Sequence, residues 1–323
     1  MEECWAPLHF IMISSLTIFK NNSTNPIMHK TSSLIISLFA AGLYCISCKS
    51  NIKLPKPLHI VVVVEENHGY DQIIGSENAP YINELAKEGT LFTNSEAITH
   101  PSQPNYLALF SGSTQDVDAD ECLMGKGPYT TPNLGAALLK AGYTFKGYSE
   151  TLPHVGFLEC SYQEKEGYNY ARKHNPWADW QGDKENGLPD STNQPMTDFP
   201  NDFSKLPTVS FVIPNEGNDM HNIDLDGDTA AIKRGDQWLK DHLLAYVKWA
   251  KKNNSLLIVT FDEDQKGSMI HNHIATIFVG PMVRREIYSN AINHYSVLRT
   301  VEGMYHLPPS GNAGEKAIEE IWK

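Results

Sequence analysis

Ser102 lies in the segment Thr99-His100-Pro101-Ser102-Gln103-Pro104-Asn105-Tyr106, where a serine stands ahead of a proline able to open a helix. Proline suits the first helical position, because its missing N–H costs no bond there, and the apolar run Tyr106-Leu107-Ala108-Leu109-Phe110 that follows fits a buried helix. A hydroxyl at such a start faces the positive end of the helix dipole and unpaired backbone N–H groups, which favour an alkoxide or a bound phosphoryl group. The plain alternative is a capping serine without chemistry. Two acidic clusters shift the weight. The β-branched run Ile60-Val61-Val62-Val63-Val64 ends in Glu65-Glu66-Asn67-His68, and Leu256-Leu257-Ile258-Val259-Thr260-Phe261 ends in Asp262-Glu263-Asp264. Unbroken apolar runs of this kind suit strands buried on both faces, and ligands of parallel α/β sheets bind beyond the carboxyl ends of the strands. Carboxylates brought together there repel unless a cation sits between them. Hard oxygen donors favour one divalent ion, Mg, Ca, Mn or Fe, which would lower the charge cost of activating Ser102 and of binding a phosphoryl oxygen.

Further motifs appear in order: Glu66-Asn67, Ser102-Gln103-Pro104-Asn105, Arg172-Lys173-His174-Asn175-Pro176, Asn218-Asp219-Met220-His221, Thr260-Phe261-Asp262-Glu263 and Asn272-His273. Together, from about residue 57 to about residue 308, they resemble the acid phosphatase and phospholipase C type of phosphoesterase, a branch of the alkaline-phosphatase-like superfamily. The resemblance implies that Glu66, Asn67, Ser102, Asp262 and Glu263 hold the metal, that Ser102 is also the nucleophile, and that Asn105 helps to bind the phosphate. It also implies catalytic roles for His174 and His221, which would bind a phosphoryl oxygen or protonate the leaving alcohol. His273 is a third candidate, because it opens a strand-like run shortly after the acidic cluster.

The longer phospholipases carry Thr-Asp-Pro-Gly-His between the first motif and the nucleophile. Only 35 residues separate Asn67 from Ser102 here, and none reproduces that segment, so His68 or His100 would build that part of the pocket. Those lipases also have Thr where this chain has Ser102, and Glu-His where it has Glu263-Asp264. The likeness is therefore to short bacterial acid phosphatases, with either Glu263 or Asp264 as the second carboxylate ligand. The expected activity is hydrolysis of small phosphate monoesters through a phosphoserine. A phospholipase C or phosphodiesterase is the nearer alternative, and a surface lipoprotein that binds without turnover the more distant one.

Other polar residues read more plainly. His294 begins a helical run, His271 falls in a loop from Asp264 to Asn272, and His154 follows Pro153 with a weak claim on the site. Asp224-Leu225-Asp226-Gly227-Asp228 lacks the spacing of a calcium-binding EF-hand loop and reads as a surface loop.

Residues 1–48 read as a leader and 49–323 as the catalytic domain. Met28-His29-Lys30 precedes the apolar stretch Leu34 to Leu43, which has the length of a signal-peptide core and is short for a membrane span. Cys45-Ile46-Ser47-Cys48 resembles a lipoprotein cleavage site with Cys48 as the acylated residue, while Glu2-Glu3 suggests that residues 1–27 precede the true start. The expected location is the periplasm or cell envelope of a bacterium, with membrane contact only through an N-terminal lipid. Cys122 and Cys160 then remain as a pair, and an even pair in an exported chain suggests one disulfide. The net charge of −12 disfavours nucleic acid as a partner, because such binding rests on Lys and Arg against phosphates.

These side chains need a scaffold. Strand-like runs at His59 to Glu65, Tyr143 to Tyr148, Thr208 to Ile213, Leu256 to Phe261 and Ile274 to Val279 alternate with helical ones at Tyr81 to Glu88, Pro104 to Phe110, Asn133 to Lys140, Thr229 to Lys251 and His294 to Tyr305. The alternation predicts an α/β fold of one domain, with a mainly parallel central sheet and helices on both faces. The stretch from Cys160 to Lys205, rich in Pro, Asn, Asp and Trp, reads as an irregular lid or pocket wall carrying His174.

Overall fold

Strand β1 (Ile60–Glu65) is buried along its whole length and lies inside an eight-stranded sheet. The computed structural model describes residues 54–123, 126–163, 168–221, 227–265, 271–311 and 315–323. The leader reading, most of the loop from residue 264 to 272 and residues 224–226 lie outside them. The remaining strands of the large sheet are β2 (Thr90–Phe92), β4 (Phe145–Ser149), β7 (Asn193–Pro195), β8 (Val209–Ile213), β9 (Leu256–Phe261), β10 (Thr276–Val279) and β11 (Glu286–Tyr288). Their spatial order is β11-β2-β10-β9-β1-β8-β4-β7, and every strand runs parallel to the others except β10. Strand β3 (Ser95–Glu96) pairs with β12 (Ile292–Asn293), and β5 (Ser161–Gln163) pairs with β6 (Asn169–Ala171).

The side-chain alternation of β1 explains its uninterrupted apolar run. Ile60, Val62 and Val64 join Leu107, Phe110, Phe211 and Val297 in one core, while Val61 and Val63 join Ile82, Leu85, Leu239 and Leu257 in another. The first core is roofed by α3 (Ser102–Ser111), α4 (Leu134–Lys140) and α6 (His294–Met304), the second by α2 (Pro80–Glu88) and α5 (Asp228–Ala250). A short turn of helix, α1 (Tyr70–Ile73), precedes α2. Each aliphatic side chain buried in this way contributes about 1.5–3 kcal/mol.

Local chemistry sets the helix ends. The Asn133 side chain accepts from Ala136 N–H at 2.8 Å to cap α4, and Asn293 with Ser296 forms a capping box on α6. Asp236 of α5 accepts the N–H groups of Tyr81 and Ile82 at 3.0 and 2.8 Å, so one helix caps the other. Helix α3 ends at Gly112 in the left-handed region, where a Cβ would stand 2.2 Å from the Ser310 carbonyl oxygen.

The structure corrects two expectations. Helix α3 opens at Ser102 with Pro101 as its N-cap, so Pro104 is the third helical residue and not the first. It costs no hydrogen bond there, since the first turn has no intrahelical acceptor to reach. The stretch from Cys160 to Lys205 is less irregular than its composition suggests: it contributes β5, β6, β7 and 3-10 turns at Arg172–His174 and Pro176–Trp180, buries Trp177 and Trp180 fully, and forms a wall that carries His174 to Glu66. The Cys122–Cys160 disulfide is present, with Cα atoms 5.4 Å apart.

Candidate active site

The register of β1 on β9 pairs Glu65 with Phe261, so the residues after both strands emerge side by side. Asp262 N–H donates to the Glu65 carbonyl at 2.9 Å, Glu66 N–H to the Asp219 carbonyl at 2.8 Å, and Asn67 N–H to Asp262 Oδ1 at 3.0 Å. Backbone bonds therefore hold Glu66 and Asp262 at the carboxyl edge of the sheet. Asn67 sits there with a positive φ of 50°, a conformation that asparagine tolerates better than most residues.

Ser102 begins α3 opposite this edge and is buried. Its Oγ donates to Glu66 Oε2 at 3.1 Å and stands 3.5 Å from Glu263 Oε1. The helix start is less open than its sequence suggests, because Gln103 N–H donates to Asp120 Oδ1 at 2.9 Å and Pro104 has no N–H. Glu66 is the hub of the cluster. Its Oε1 accepts from the Tyr106 hydroxyl at 2.5 Å and lies 3.1 Å from His174 Nε2. Its Oε2 takes Ser102 and, at 3.3 Å, Asn67 Nδ2.

Of the two carboxylates left open by the sequence, Glu263 faces Ser102. Asp264 turns to His100, whose ring spans the pair: Nδ1 is 2.9 Å from Glu263 Oε2 and Nε2 is 3.2 Å from Asp264 Oδ1. Burial, reinforced by mutual repulsion, raises the carboxyl pKa values of Asp262 and Asp219 well above their ordinary range and that of Glu263 to about 8. Burial also raises Glu66, against the opposing pull of Lys173 and His221. Lys173 is the cation beside the group. Burial works against its charge, yet Glu66 and Asp120 together raise its pKa.

A divalent cation fits this donor set. Asp262 Oδ2 is buried and has no hydrogen-bond partner among the described residues, and the remaining donors are hard oxygens. Among the described residues no three His, Cys, Asp or Glu side chains converge on one point, so an ion would draw on the Ser102 hydroxyl and the Asn67 carbonyl as well as on carboxylates.

The histidines separate. His174 is buried, stacked on Tyr106 at 5.1 Å, with Nε2 toward Glu66 and Nδ1 3.8 Å from Asp219 Oδ2. Burial and the nearby Lys173 hold its pKa well below the ordinary value, so the ring is neutral and orients Glu66. His221 differs. Its N–H donates to Asp219 Oδ1 at 2.9 Å, but its Nδ1 is buried without a partner among the described residues. Met220 before it holds a positive φ of 76° while fully buried, a strained backbone next to the histidine. His273 is placed elsewhere, with Nε2 3.1 Å from the Thr93 carbonyl and its ring stacked on Tyr70 at 4.5 Å. His68 packs behind Glu66 with Nδ1 3.1 Å from its carbonyl, and His294 places Nε2 2.7 Å from the Asp262 carbonyl. His154 is exposed and bonds locally to Val155.

Asn105 is also committed. Its Oδ1 accepts from Ile98 and Thr99 N–H at 3.0 Å each, and its Nδ2 donates to the Thr99 carbonyl at 2.8 Å, so the amide pins the loop before Ser102. A further approach of Nδ2 to Glu263 Oε2, at 3.3 Å, ties that loop to the carboxylates. Sequence reasoning missed Tyr106, Asp120, Asp219 and Lys173 as members of the cluster. Tyr106 could have been found from its spacing, four residues after Ser102 on one helical face.

A model of the Phosphoesterase family matches residues 76–308, a stretch that includes Ser102, Asp262 and Glu263. The phosphatidylinositol-3-phosphatase of Mycobacterium tuberculosis is 47% identical over 272 residues, covering 83% of this chain and 84% of its own. A probable acid phosphatase of Kluyveromyces lactis is 30% identical over 80% of this chain and 61% of its own length. Among solved structures, a protein in the alkaline phosphatase superfamily from Vibrio parahaemolyticus shares the fold with a TM-score of 0.56 at 14% identity, covering 83% of this chain and 72% of that one.

Proposed function

Since this chain belongs to the phosphoesterase family and is a phosphoric-ester hydrolase, we propose that it is a metal-dependent phosphomonoesterase of the acid phosphatase type, acting through a phosphoserine at Ser102. The observation that carries the reading is the buried Ser102 Oγ, which begins a helix and lies 3.1 Å from Glu66 Oε2 and 3.5 Å from Glu263 Oε1.

Glu66, Asn67, Ser102, Asp262 and Glu263 would hold the ion, which supplies a Lewis acid for the seryl oxygen and the phosphoryl oxygens. On attack, Ser102 Oγ–H passes its proton toward Glu66 Oε2, the oxygen it already donates to. Oγ bonds to phosphorus as the ester oxygen leaves with its electron pair, and that oxygen takes a proton. His221, whose Nδ1 is buried without a partner among the described residues, is the candidate donor. Water then attacks the same phosphorus, phosphate departs, and the seryl oxygen recovers a proton. Two steps replace one harder one. His174 and Tyr106 fix Glu66 throughout. The Cys122–Cys160 disulfide supports the reading of an exported enzyme, since such bonds persist in oxidising compartments.

Hydrolysis of p-nitrophenyl phosphate against bis-p-nitrophenyl phosphate, with and without chelator, tests this. Chelator-sensitive turnover of the monoester, abolished in a folded Ser102→Ala variant, is expected. Normal turnover by Ser102→Ala would overturn the phosphoserine, and preference for the diester would overturn the monoesterase.

A further inference from the structure

We propose that the cavity walled by Gln103, Asp120, Leu123, Ser161, Lys173 and Glu216 is the leaving-group subsite, and that it takes a small, uncharged alcohol carrying hydroxyl groups beyond the ester oxygen. The inference rests on the phosphomonoesterase reading of Ser102.

Position comes first. Gln103 follows Ser102 in α3, and Lys173 precedes His174, whose Nε2 touches Glu66. Asp120 of the wall accepts the N–H of Gln103, so the cavity adjoins the start of α3, where Ser102 stands. Its volume, about 210 Å³, is below the roughly 300–1,000 Å³ of sites for drug-sized ligands, which suits an alcohol of a few carbons or a single ring.

The wall is preorganised. Asp120 accepts Gln103 N–H on Oδ1 and Lys173 Nζ on Oδ2, each at 2.9 Å, while Gln103 Oε1 accepts Glu121 N–H at 2.8 Å. The Cys122–Cys160 disulfide joins the two segments that carry these groups. The cation of Lys173 is thereby matched by Asp120 and not left for a second phosphate. Glu121 and Arg172 on the same wall are paired with Lys126 and Asp179, and Glu216 adds a negative charge that repels an anionic leaving group.

What remains for a ligand is hydrogen-bonding capacity. The Glu216 carboxylate makes no hydrogen bond to another described residue, and the Ser161 hydroxyl lies on the exposed strand β5. A carboxylate oxygen accepts only from a donor, and an alcohol hydroxyl supplies one. An apolar leaving group would instead take water from Glu216 without replacing its bonds, at a cost in rate.

The test compares kcat/KM for sn-glycerol 3-phosphate with that for n-propyl phosphate, which has the same carbon chain without the two hydroxyls. The expected preference for the glycerol ester is about tenfold, the factor for one hydrogen bond to a charged group. Glu216→Leu should bring the ratio close to one, and Glu216→Gln, which keeps an acceptor, should restore part of it, with melting curves confirming the fold. Should Glu216→Leu not fold, Ser161→Trp, at an exposed position, would narrow the cavity and lower the rate on glycerol 3-phosphate relative to methyl phosphate. Equal rates in the unaltered enzyme, or a preference that survives Glu216→Leu, would overturn the subsite while turnover of p-nitrophenyl phosphate keeps the phosphatase reading standing. Failure to hydrolyse any of these esters would overturn both.

Discussion

Nε2 of His174 stands 3.1 Å from Oε1 of Glu66, with both side chains almost wholly removed from water. The same Oε1 accepts the Tyr106 hydroxyl, and the Tyr106 ring stacks on the imidazole, so the three groups fix one another. Removing one partner of a buried carboxylate costs about 1–3 kcal/mol. Tyr106→Phe and His174→Phe should each lower kcat by about tenfold to a hundredfold, with smaller changes in KM. Because both act on one oxygen, the double variant should lose less than the product of the two. Steady-state kinetics on p-nitrophenyl phosphate decide it, and fully multiplicative losses would show that the two residues act independently.

Such a triangle is hard to see in a string of residues. The ends of β1 and β9 are legible because an unbroken β-branched run followed by carboxylates has few other uses, and Glu66, Asn67, Ser102, Asp262 and Glu263 do come together. Lys173 stands within the Arg172-Lys173-His174-Asn175-Pro176 motif, yet its partner Asp120 lies 53 residues away with no periodicity to link them. His273 misleads for a related reason: it does come shortly before a strand, but it lies ahead of β10 in an isolated bridge to Glu96, where its ring stacks on Tyr70. The two- and three-residue strands β2, β3, β5, β6, β7, β11 and β12 are too short to show an alternation. Pro104 reads as a helix start although the helix opens at Ser102, because proline is tolerated throughout the first turn, which blurs the boundary by two residues.

Asp179 couples stability to pH away from the carboxylate cluster. Its carboxylate accepts from Arg172 Nη2 at 2.9 Å, but burial outweighs that pairing and raises its pKa from 3.8 to about 6. A raised folded-state pKa means that the folded protein holds the proton more tightly than the unfolded chain. The contribution to stability is fully present below pH 3.8 and is lost as pH rises through about 6. Two pKa units correspond to about 3 kcal/mol as an order of magnitude. Asp179→Asn should therefore flatten the change in melting temperature between pH 4 and 6.5, whatever it does to absolute stability. An unchanged slope would mean that Asp179 is ionised throughout.

Gly147 in β4 lies directly beneath Trp177. A Cβ there would stand 2.0 Å from the indole, and the ring is held in place by its Nε1–H donating to Asn193 Oδ1 at 2.9 Å. Gly147→Ala must displace a fully buried tryptophan, at a cost of about 1–3 kcal/mol or more. Trp177 follows His174-Asn175-Pro176, so the displacement should also disturb the imidazole beside Glu66. The expected result is a melting temperature lower by roughly 3–10 °C together with reduced kcat. A variant with the original melting temperature would show that the indole has room to move.

The disulfide has a more specific task than closing a loop. Cys122 follows Asp120, which holds both Gln103 N–H and Lys173 Nζ, while Cys160 precedes β5 and its carbonyl accepts Arg172 N–H at 2.9 Å. The bond therefore ties the start of α3 to the segment that carries Lys173 and His174. Cys122→Ser with Cys160→Ser should lose about 3–4 kcal/mol in the chain-entropy account for a separation of 38 residues. If the tether also positions Asp120, the double variant should show a raised KM for glycerol 3-phosphate at temperatures well below its melting point, where nearly all molecules are folded. A stability loss with KM unchanged would leave the disulfide as a staple on the chain, with Asp120 held by its own hydrogen bonds.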